Sequence, residues 1–379
     1  MISCGEASGD LYAGALALEL RQRAPGAEIF GLGGPRFRSA GSDLIGDFNR
    51  FSVTGLTEAL RVVPRSLAML RRMVAAARER RPDVFVPIDF PDFNFRLVAA
   101  IHRLGIPVVY YVSPQLWAWR PGRMKAIQAH VDRVLVIFPF EEAIYRDAGV
   151  DVRFVGHPLV DLARSGQPRS SFLRDRGLVP DAPTVALLPG SRPNELERTV
   201  PVMVAALSRI RACVPGVQFT VACAPNIEDW QFAPLITAGE GSHRPVLVHN
   251  RADDVIASAD VAITASGTAT VQCALHERPM VVVYRLSPLT YRLGKPFVKV
   301  DTYAMPNLVA GRRIVPELIQ DEFTADRVAD EAVALLTDRP RQARTREALR
   351  RVREQLGGPG ASGRAAEAIL EVARGAKSA

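Results

Sequence analysis

Short apolar runs alternate with longer stretches of helical periodicity along nearly the whole chain. Between Ala259 and Tyr284 the pattern is at its plainest: Val261-Ala262-Ile263-Thr264, a small-residue corner at Ala265-Ser266-Gly267-Thr268, a helical stretch, a turn, and Met280-Val281-Val282-Val283. That order predicts a strand, a helix and a second, parallel strand. The same alternation predicts strands over 1–4, 29–32, 84–88, 108–112, 134–138 and 152–155, then 184–188, 219–223, 246–248 and 298–300. Helices are expected over 11–23, with Leu11, Ala15, Leu18 and Leu20 inward, over 95–104, from the Pro193 region to about 211, and from 326 onward. Residues 56–77 place Leu60, Val63, Leu67, Leu70 and Val74 at helical spacing among Arg61, Arg65, Arg71, Arg72 and Arg78, with Pro64 expected to break the run. Such a basic amphipathic face suits either a protein core or an anionic membrane surface.

Repeated strand and helix units of this kind imply an α/β fold with two parallel sheets, each half a Rossmann-like domain whose strands end in small-residue corners, and a cleft is expected between the halves. At 379 residues the chain is long for one core. Domains are expected over 1–165 and 166–345, with a helical segment over 346–379 packing back on the first domain or on a partner subunit.

The corners are where chemistry is expected, because ligands of open parallel sheets bind beyond the carboxyl ends of the strands. Ser266, Gly267, Thr268 and Ala269 precede a helix whose first N–H groups suit a phosphate, with an ordinary helix cap as the alternative. Ser191 and Arg192 follow the strand at 184–188, and a guanidinium there can grip a diphosphate bidentately. Gly5-Glu6-Ala7-Ser8-Gly9-Asp10 resembles the corner at 265–268, but Glu6 and Asp10 bring carboxylates, so sugar hydroxyls suit it better than phosphate; a helix-capping role for Ser8 or Asp10 is the alternative. Asp89 and Asp92 follow the strand at 84–88, where a carboxylate can act as a general base or cap the next helix. Trp117 and Trp119 share one loop with Arg120, a surface suited to a sugar face or an acyl chain. Asn307 offers an amide to hydroxyls or phosphate oxygens, and His157 is either a ligand contact or a structural residue.

Composition narrows the field. Charged residues make up 23% and apolar ones 48%, a globular balance, and the net charge of +8 favours an acidic partner. Cys4, Cys213, Cys223 and Cys273 lie far apart with no CxxC pair, which suggests neither a disulfide framework nor a metal site. No apolar run is long enough to cross a bilayer. A dehydrogenase reading is weak because no Gly-x-Gly-x-x-Gly follows the first strand.

Taken together, Gly5-Glu6-Ala7-Ser8-Gly9-Asp10, Asp89-Phe90-Pro91-Asp92-Phe93-Asn94, the run from Tyr111 to Arg120 with Ser113-Pro114-Gln115-Leu116-Trp117-Ala118-Trp119-Arg120, Leu188 to Arg192, Ala265 to Thr270 and Pro306 to Gly311 resemble the lipid-A-disaccharide synthase family. The resemblance implies a GT-B glycosyltransferase that joins UDP-2,3-diacylglucosamine to 2,3-diacylglucosamine 1-phosphate with inversion. It implies work at the cytoplasmic face of a Gram-negative inner membrane, and a homodimer with exchanged C-terminal segments. No metal, cofactor or nucleic acid is expected. On this reading Asp89, with Asp92 second, is the base; Ser191, Arg192, Ser266, Gly267, Thr268, Ala269, Gln272 and Asn307 hold the UDP-sugar. Glu6, Ser8, Asp10, Asn94, Trp117 and Trp119 hold the acceptor, and Leu60, Val63, Leu67 and Leu70 face lipid. Two departures stand out: Gln272 occupies a position where relatives commonly carry a ribose-binding Glu, and the first strand is short. Another UDP-N-acetylglucosamine enzyme of this fold, a lipid-linked transferase or an epimerase, or a non-catalytic lipid- or nucleotide-binding protein, is the rival reading.

Overall fold

The structure is a computed structural model that describes residues 1–48, 56–114, 116, 121–225, 227–239, 241, 244–287, 291 and 302–378, with side chains left out at 56–63, 121 and 376–378. Trp117, Trp119, the expected strand at 298–300 and the side chains of Leu60 and Val63 lie outside the described residues.

Two compact units divide the chain: Met1–Pro158 with Leu356–Ala379, and Leu159–Pro296 with Val300–Gln355. The first holds a seven-stranded parallel sheet of β1 (Ile2–Cys4), β2 (Phe30–Gly33), β3 (Asp43–Asp47), β4 (Val86–Ile88), β5 (Val109–Tyr111), β6 (Arg133–Val136) and β7 (Val152–Phe154), in the order β3-β2-β1-β4-β5-β6-β7. The second holds β8 (Thr184–Leu188), β9 (Gln218–Cys223), β10 (Val246–His249), β11 (Val261–Ala265), β12 (Met280–Tyr284) and β13 (Glu317–Ile319), also parallel, in the order β10-β9-β8-β11-β12-β13.

Each order reverses once, between β1 and β4 in the first sheet and between β8 and β11 in the second. At such a switch point the two loops leaving the carboxyl ends run to opposite faces and open a crevice. The corners at 5–10 and 89–94 flank the first switch, and those at 189–192 and 265–268 the second.

Burial explains which strands the apolar pattern reveals. β8, β11 and β12 are interior strands covered on both faces, so Val185, Leu187, Ile263, Val281 and Val283 pack with Met203, Leu207 and Ile210 from one helix and Val328, Ala332 and Leu335 from another. Each such side chain contributes about 1.5–3 kcal/mol when fully buried. β3 and β13 escaped the pattern because β3 is half exposed with an aspartate at either end and β13 offers only Leu318 and Ile319 after Glu317.

Several expectations are corrected. The helix Ala7–Arg23 starts earlier than residue 11 and buries Tyr12, Ala13, Leu16, Ala17 and Leu20, while Leu18 is 52% exposed. It is packed by the helices Pro35–Ser39 and Ala361–Ser378, which rotates its buried stripe away from Leu18. The helix Leu56–Arg80 runs unbroken through Pro64, an exposed position where water can hydrate the carbonyl that proline leaves unpaired. The second unit begins at Leu159, and within it the Asp254 carboxylate accepts from the Ser165 hydroxyl (2.9 Å) and the Gly166 amide (2.7 Å). The chain returns to the first unit at Leu356 and not at 346: the helix Arg339–Gln355 buries Leu349 and Val352 in the second unit. The helix Ala361–Ser378 lies on the first, where Glu371 pairs with Arg133 (2.9 Å) and Arg153 (3.0 Å).

Candidate active site

In the second unit, β11 turns sharply at Gly267 (φ 149°) into the helix Thr268–Leu275. Its N-cap is Gly267, which has no side chain of its own to cap the helix. The Ser266 hydroxyl donates to the Tyr303 carbonyl (3.2 Å), and among the described residues an added Cβ at Gly267 would meet nothing within 4 Å. The first-turn amides stand at the positive end of the helix dipole beside this glycine, an arrangement that suits an anion.

Across the switch point, Arg192 is the N-cap of the helix Pro193–Cys213. Glu195 organises the turn: its carboxylate accepts from the Ser191 amide (2.9 Å) and pairs with the Arg192 guanidinium (3.4 Å). Pro at the first helical position and Glu at the third form a start signal that the sequence displayed. Gly190 (φ 136°) allows this turn, since a Cβ there would strike the Glu195 side chain at 2.7 Å. Arg192 keeps half of its side chain exposed, so the guanidinium is held near the corner and still open to a ligand. At the end of β12, burial raises the Tyr284 phenol, and the charges of Glu195 and Arg192 both reach it.

In the first unit, Asp89 (φ 44°) and Phe90 (φ 50°) follow β4 in the left-handed region, and Val112 (φ 54°) does so at the end of neighbouring β5. Left-handed backbone costs non-glycine residues roughly 1–3 kcal/mol each and persists only where the surroundings impose it. Here they do. The Asp89 carbonyl accepts from the Asn94 amide (2.7 Å) and the Tyr110 hydroxyl (3.0 Å), and its amide donates to the Val112 carbonyl (3.2 Å). The Phe90 ring lies against Gly5, where any Cβ would collide at 2.1 Å. Burial, and then the charge of Asp89, raise the Tyr110 phenol well above its ordinary value, so it remains a neutral donor.

Other expected contacts are placed differently. Asn94 is fully buried and accepts from the Ser3 hydroxyl (2.7 Å); it positions Asp89 and cannot itself touch an acceptor. Asp10 is also buried and takes the amides of Gly34 (2.7 Å), Arg36 (2.8 Å) and Phe37 (3.1 Å), so it caps the helix Pro35–Ser39 and is spent there. Asp92 stands in the first turn of the helix Pro91–His102, 80% exposed and paired with Arg123 (2.6 Å). Glu6 and Ser8 remain half-exposed at the mouth of the first switch. Asn307 is buried: its amide donates to Glu317 (2.6 Å) and Val315 (3.0 Å) and accepts from the amides of Ile314 (2.7 Å) and Val315 (3.0 Å). With that set complete it braces the loop at 303–317 and offers nothing to a sugar. His157 is packed between Tyr12 and Phe138, and burial lowers its imidazole to about 3. Leu70 packs on the core beside Met69 and Met73, whereas Leu67 is exposed.

Gln272 donates to both carboxylate oxygens of Asp253 (3.1 Å each), and His276 meets the same carboxylate at 3.0 Å. Asp253 was not singled out from sequence; its position in the first turn of the helix Ala252–Ser258 was the available signal. Cys223, Asp229 and His249 also converge, with one ligand atom from each within 4.8 Å of the others, although the cysteine spacing suggested no metal site.

A family model described as Lipid-A-disaccharide synthetase matches residues 1–372. The chain belongs to the lipid-A-disaccharide synthase family. It is 45% identical over 373 residues to the Lipid-A-disaccharide synthase of Myxococcus xanthus, covering 98% of this chain and 97% of that one. It is 46% identical over 377 residues to that of Anaeromyxobacter dehalogenans, covering 99% and 97%. Among solved structures it is similar in fold to the UDP-GlcNAc 2-epimerase from Neisseria meningitidis bound to UDP-GlcNAc, with TM-score 0.70, 11% identity and coverage of 98% and 99%. It is similar also to the glycotransferase of kitacinnamycin, with TM-score 0.61, 19% identity and 98% coverage of both chains. At those identities the likeness concerns the GT-B arrangement of two parallel-sheet units alone. Family membership makes the chain a glycosyltransferase of lipid A biosynthesis acting on nucleotide-sugar and lipid-phosphate substrates, and the epimerase alternative is not favoured.

Proposed function

We propose that the chain condenses UDP-2,3-diacylglucosamine with 2,3-diacylglucosamine 1-phosphate, giving a β-1′,6-linked disaccharide 1-phosphate and UDP. The donor is α-linked and the product β-linked, so the acceptor 6-hydroxyl attacks the anomeric carbon directly and one base suffices. Asp89 takes that proton. Asp92 is the weaker choice, being mostly exposed and already paired with Arg123. As the bond to UDP breaks, negative charge grows on the diphosphate and is received by the amides of Thr268 and Ala269 and by Arg192. Ser191 and Ser266 line the same corners, and the half-buried Asp253 and Gln272 supply polar atoms for the nucleotide sugar.

What carries this reading is that one topological switch point holds a backbone-clamped aspartate and the other a helix that starts at a glycine. Glu6 and Ser8 beside Asp89 suit acceptor hydroxyls, as do Trp117 and Trp119 by the family resemblance. Among the described residues no helix is long and apolar enough to cross a membrane. Exposed Leu67, with Arg65, Arg71, Arg72 and Arg78 exposed around it, suits peripheral contact with the anionic cytoplasmic face of the inner membrane.

Purified protein mixed with radiolabelled acceptor 1-phosphate and UDP-diacylglucosamine should yield a labelled lipid disaccharide and stoichiometric UDP. Release of UDP with no disaccharide, or epimerised donor, would overturn the reading.

A further inference from the structure

β9 and β10 are neighbours at the edge of the second sheet, and their carboxyl ends carry Cys223 and His249. The register pairs these two residues directly. Asp229 opens the short helix Asp229–Phe232 that follows β9. The Cys223 thiol, one His249 nitrogen and one Asp229 oxygen all lie within 4.8 Å of one another, and His249 Nε2 is 3.5 Å from Asp229 Oδ1. Bonds of about 2.0–2.3 Å to a tetrahedral ion separate its ligand atoms by roughly 3.3–3.8 Å. The imidazole and carboxylate are already at that spacing, and drawing the three together takes about 1 Å, within reach of the side-chain rotations of two half-exposed residues.

We propose that Cys223, Asp229 and His249 form a divalent transition-metal site, of zinc type, with the fourth position open to solvent. The donor set decides the class of ion: a thiolate and an imidazole favour zinc or cobalt over magnesium or calcium, which take oxygen ligands. The surroundings suit the roles. Cys223 is 5% exposed and forms the floor, its thiol making long contacts to the carbonyls of Ala224 (3.6 Å) and Ile227 (3.7 Å). Asp229 and His249 form the solvent-facing rim. On binding, the S–H bond gives way to an S–metal bond and the proton passes to solvent. The ion ties the turn after β9 to the end of β10, on the same carboxyl edge as the corners at 189–192 and 265–268 but at its outer flank. The site is independent of Asp89, Arg192 and the glycosyl-transfer reading, so neither stands or falls with the other.

Cobalt(II) titrated into chelator-treated, desalted full-length protein supplies the test, since a cysteine ligand produces a thiolate-to-cobalt charge-transfer band. The wild type should show that band and lose it on addition of zinc. Cys223→Ser should abolish it, His249→Ala should weaken cobalt affinity at least tenfold, and Cys213→Ser, at an exposed cysteine, should leave it unchanged. Because His249 is half exposed, His249→Ala keeps the fold, and the melting temperature that zinc raises in the wild type should stay put in this variant. Absence of a thiolate band in the wild type overturns the proposal. So does a band that survives Cys223→Ser, or an equal zinc-induced shift in His249→Ala.

Discussion

The side-chain amide of Asn94 donates to the backbone carbonyl of Asp89 at 2.7 Å, across the left-handed turn at Asp89 and Phe90. With the Tyr110 hydroxyl on the same carbonyl and the Asp89 amide on the Val112 carbonyl, it holds the main chain of Asp89 at the end of β4. Asp89→Asn should abolish turnover while UDP affinity stays nearly intact, measured by calorimetry beside the disaccharide assay. Asn94→Ala should lower kcat more than KM and destabilise the fold by about 1–3 kcal/mol, the cost of leaving buried partners unsatisfied. Retention of most of the turnover by Asp89→Asn would mean that the base lies elsewhere.

Arg192 and Asn307 were expected to share the nucleotide, and the structure separates them. Arg192→Ala should weaken UDP binding by roughly 1.5–3 kcal/mol, the range for hydrogen bonds to charged groups, with little change in melting temperature because its side chain is half exposed. Asn307→Ala should do the reverse. It strips buried Glu317 and the amides of Ile314 and Val315 of a partner, so a loss of about 1–3 kcal/mol in stability is expected with UDP affinity of the folded protein little altered. Equal effects of the two substitutions on UDP affinity would contradict this division.

His157 makes stability depend on pH. Burial lowers its imidazole from 6.5 to about 3, so between those values the unfolded chain binds a proton that the folded chain refuses. The contribution is present above about pH 6.5 and is lost as pH falls toward 3, at up to about 1.4 kcal/mol per unit. Urea unfolding near pH 7.5 and near pH 5.5 should show a loss in the wild type about 1 kcal/mol larger than in His157→Phe. Identical pH dependence in the two proteins would show that His157 is not held neutral.

On the helix Leu56–Arg80, Leu67 and Arg71 are both exposed one turn apart. Replacing both, Leu67→Glu with Arg71→Glu, should reduce sedimentation with phosphatidylglycerol vesicles at least fivefold and leave the melting temperature within a degree or two. Added salt should weaken the wild-type interaction in the same direction, since screening shortens the reach of the arginines. Binding that ignores both changes would place the membrane contact on another surface.

Much of this was written locally. The alternation of strand and helix, both parallel sheets, and the corners at 5–10, 89–94, 189–192 and 265–268 followed from apolar runs and from the small or polar residues that end them, because a buried parallel strand must be continuously apolar and its carboxyl end gives way to a turn. Family membership was legible for the same reason: the motifs sit in short contiguous stretches. The strands β3 and β13 were not legible, since neither carries an apolar run: β3 has an aspartate at either end and β13 begins with a glutamate.

Tertiary structure decided the destinations of individual polar side chains. Asp10, Asn94 and Asn307 stand in or beside the expected corners, yet Asp10 turns to amides at 34–37, Asn94 to Ser3 and the Asp89 carbonyl, and Asn307 to Glu317. Sequence determined which residue types would gather at the strand ends. It could not say which would face a ligand, because a buried donor or acceptor goes wherever the folded chain leaves an unpaired backbone or side-chain group, and those partners come from other strands. Cys223 and His249 met for that reason too: parallel pairing of β9 with β10 brings together two residues that no local spacing relates.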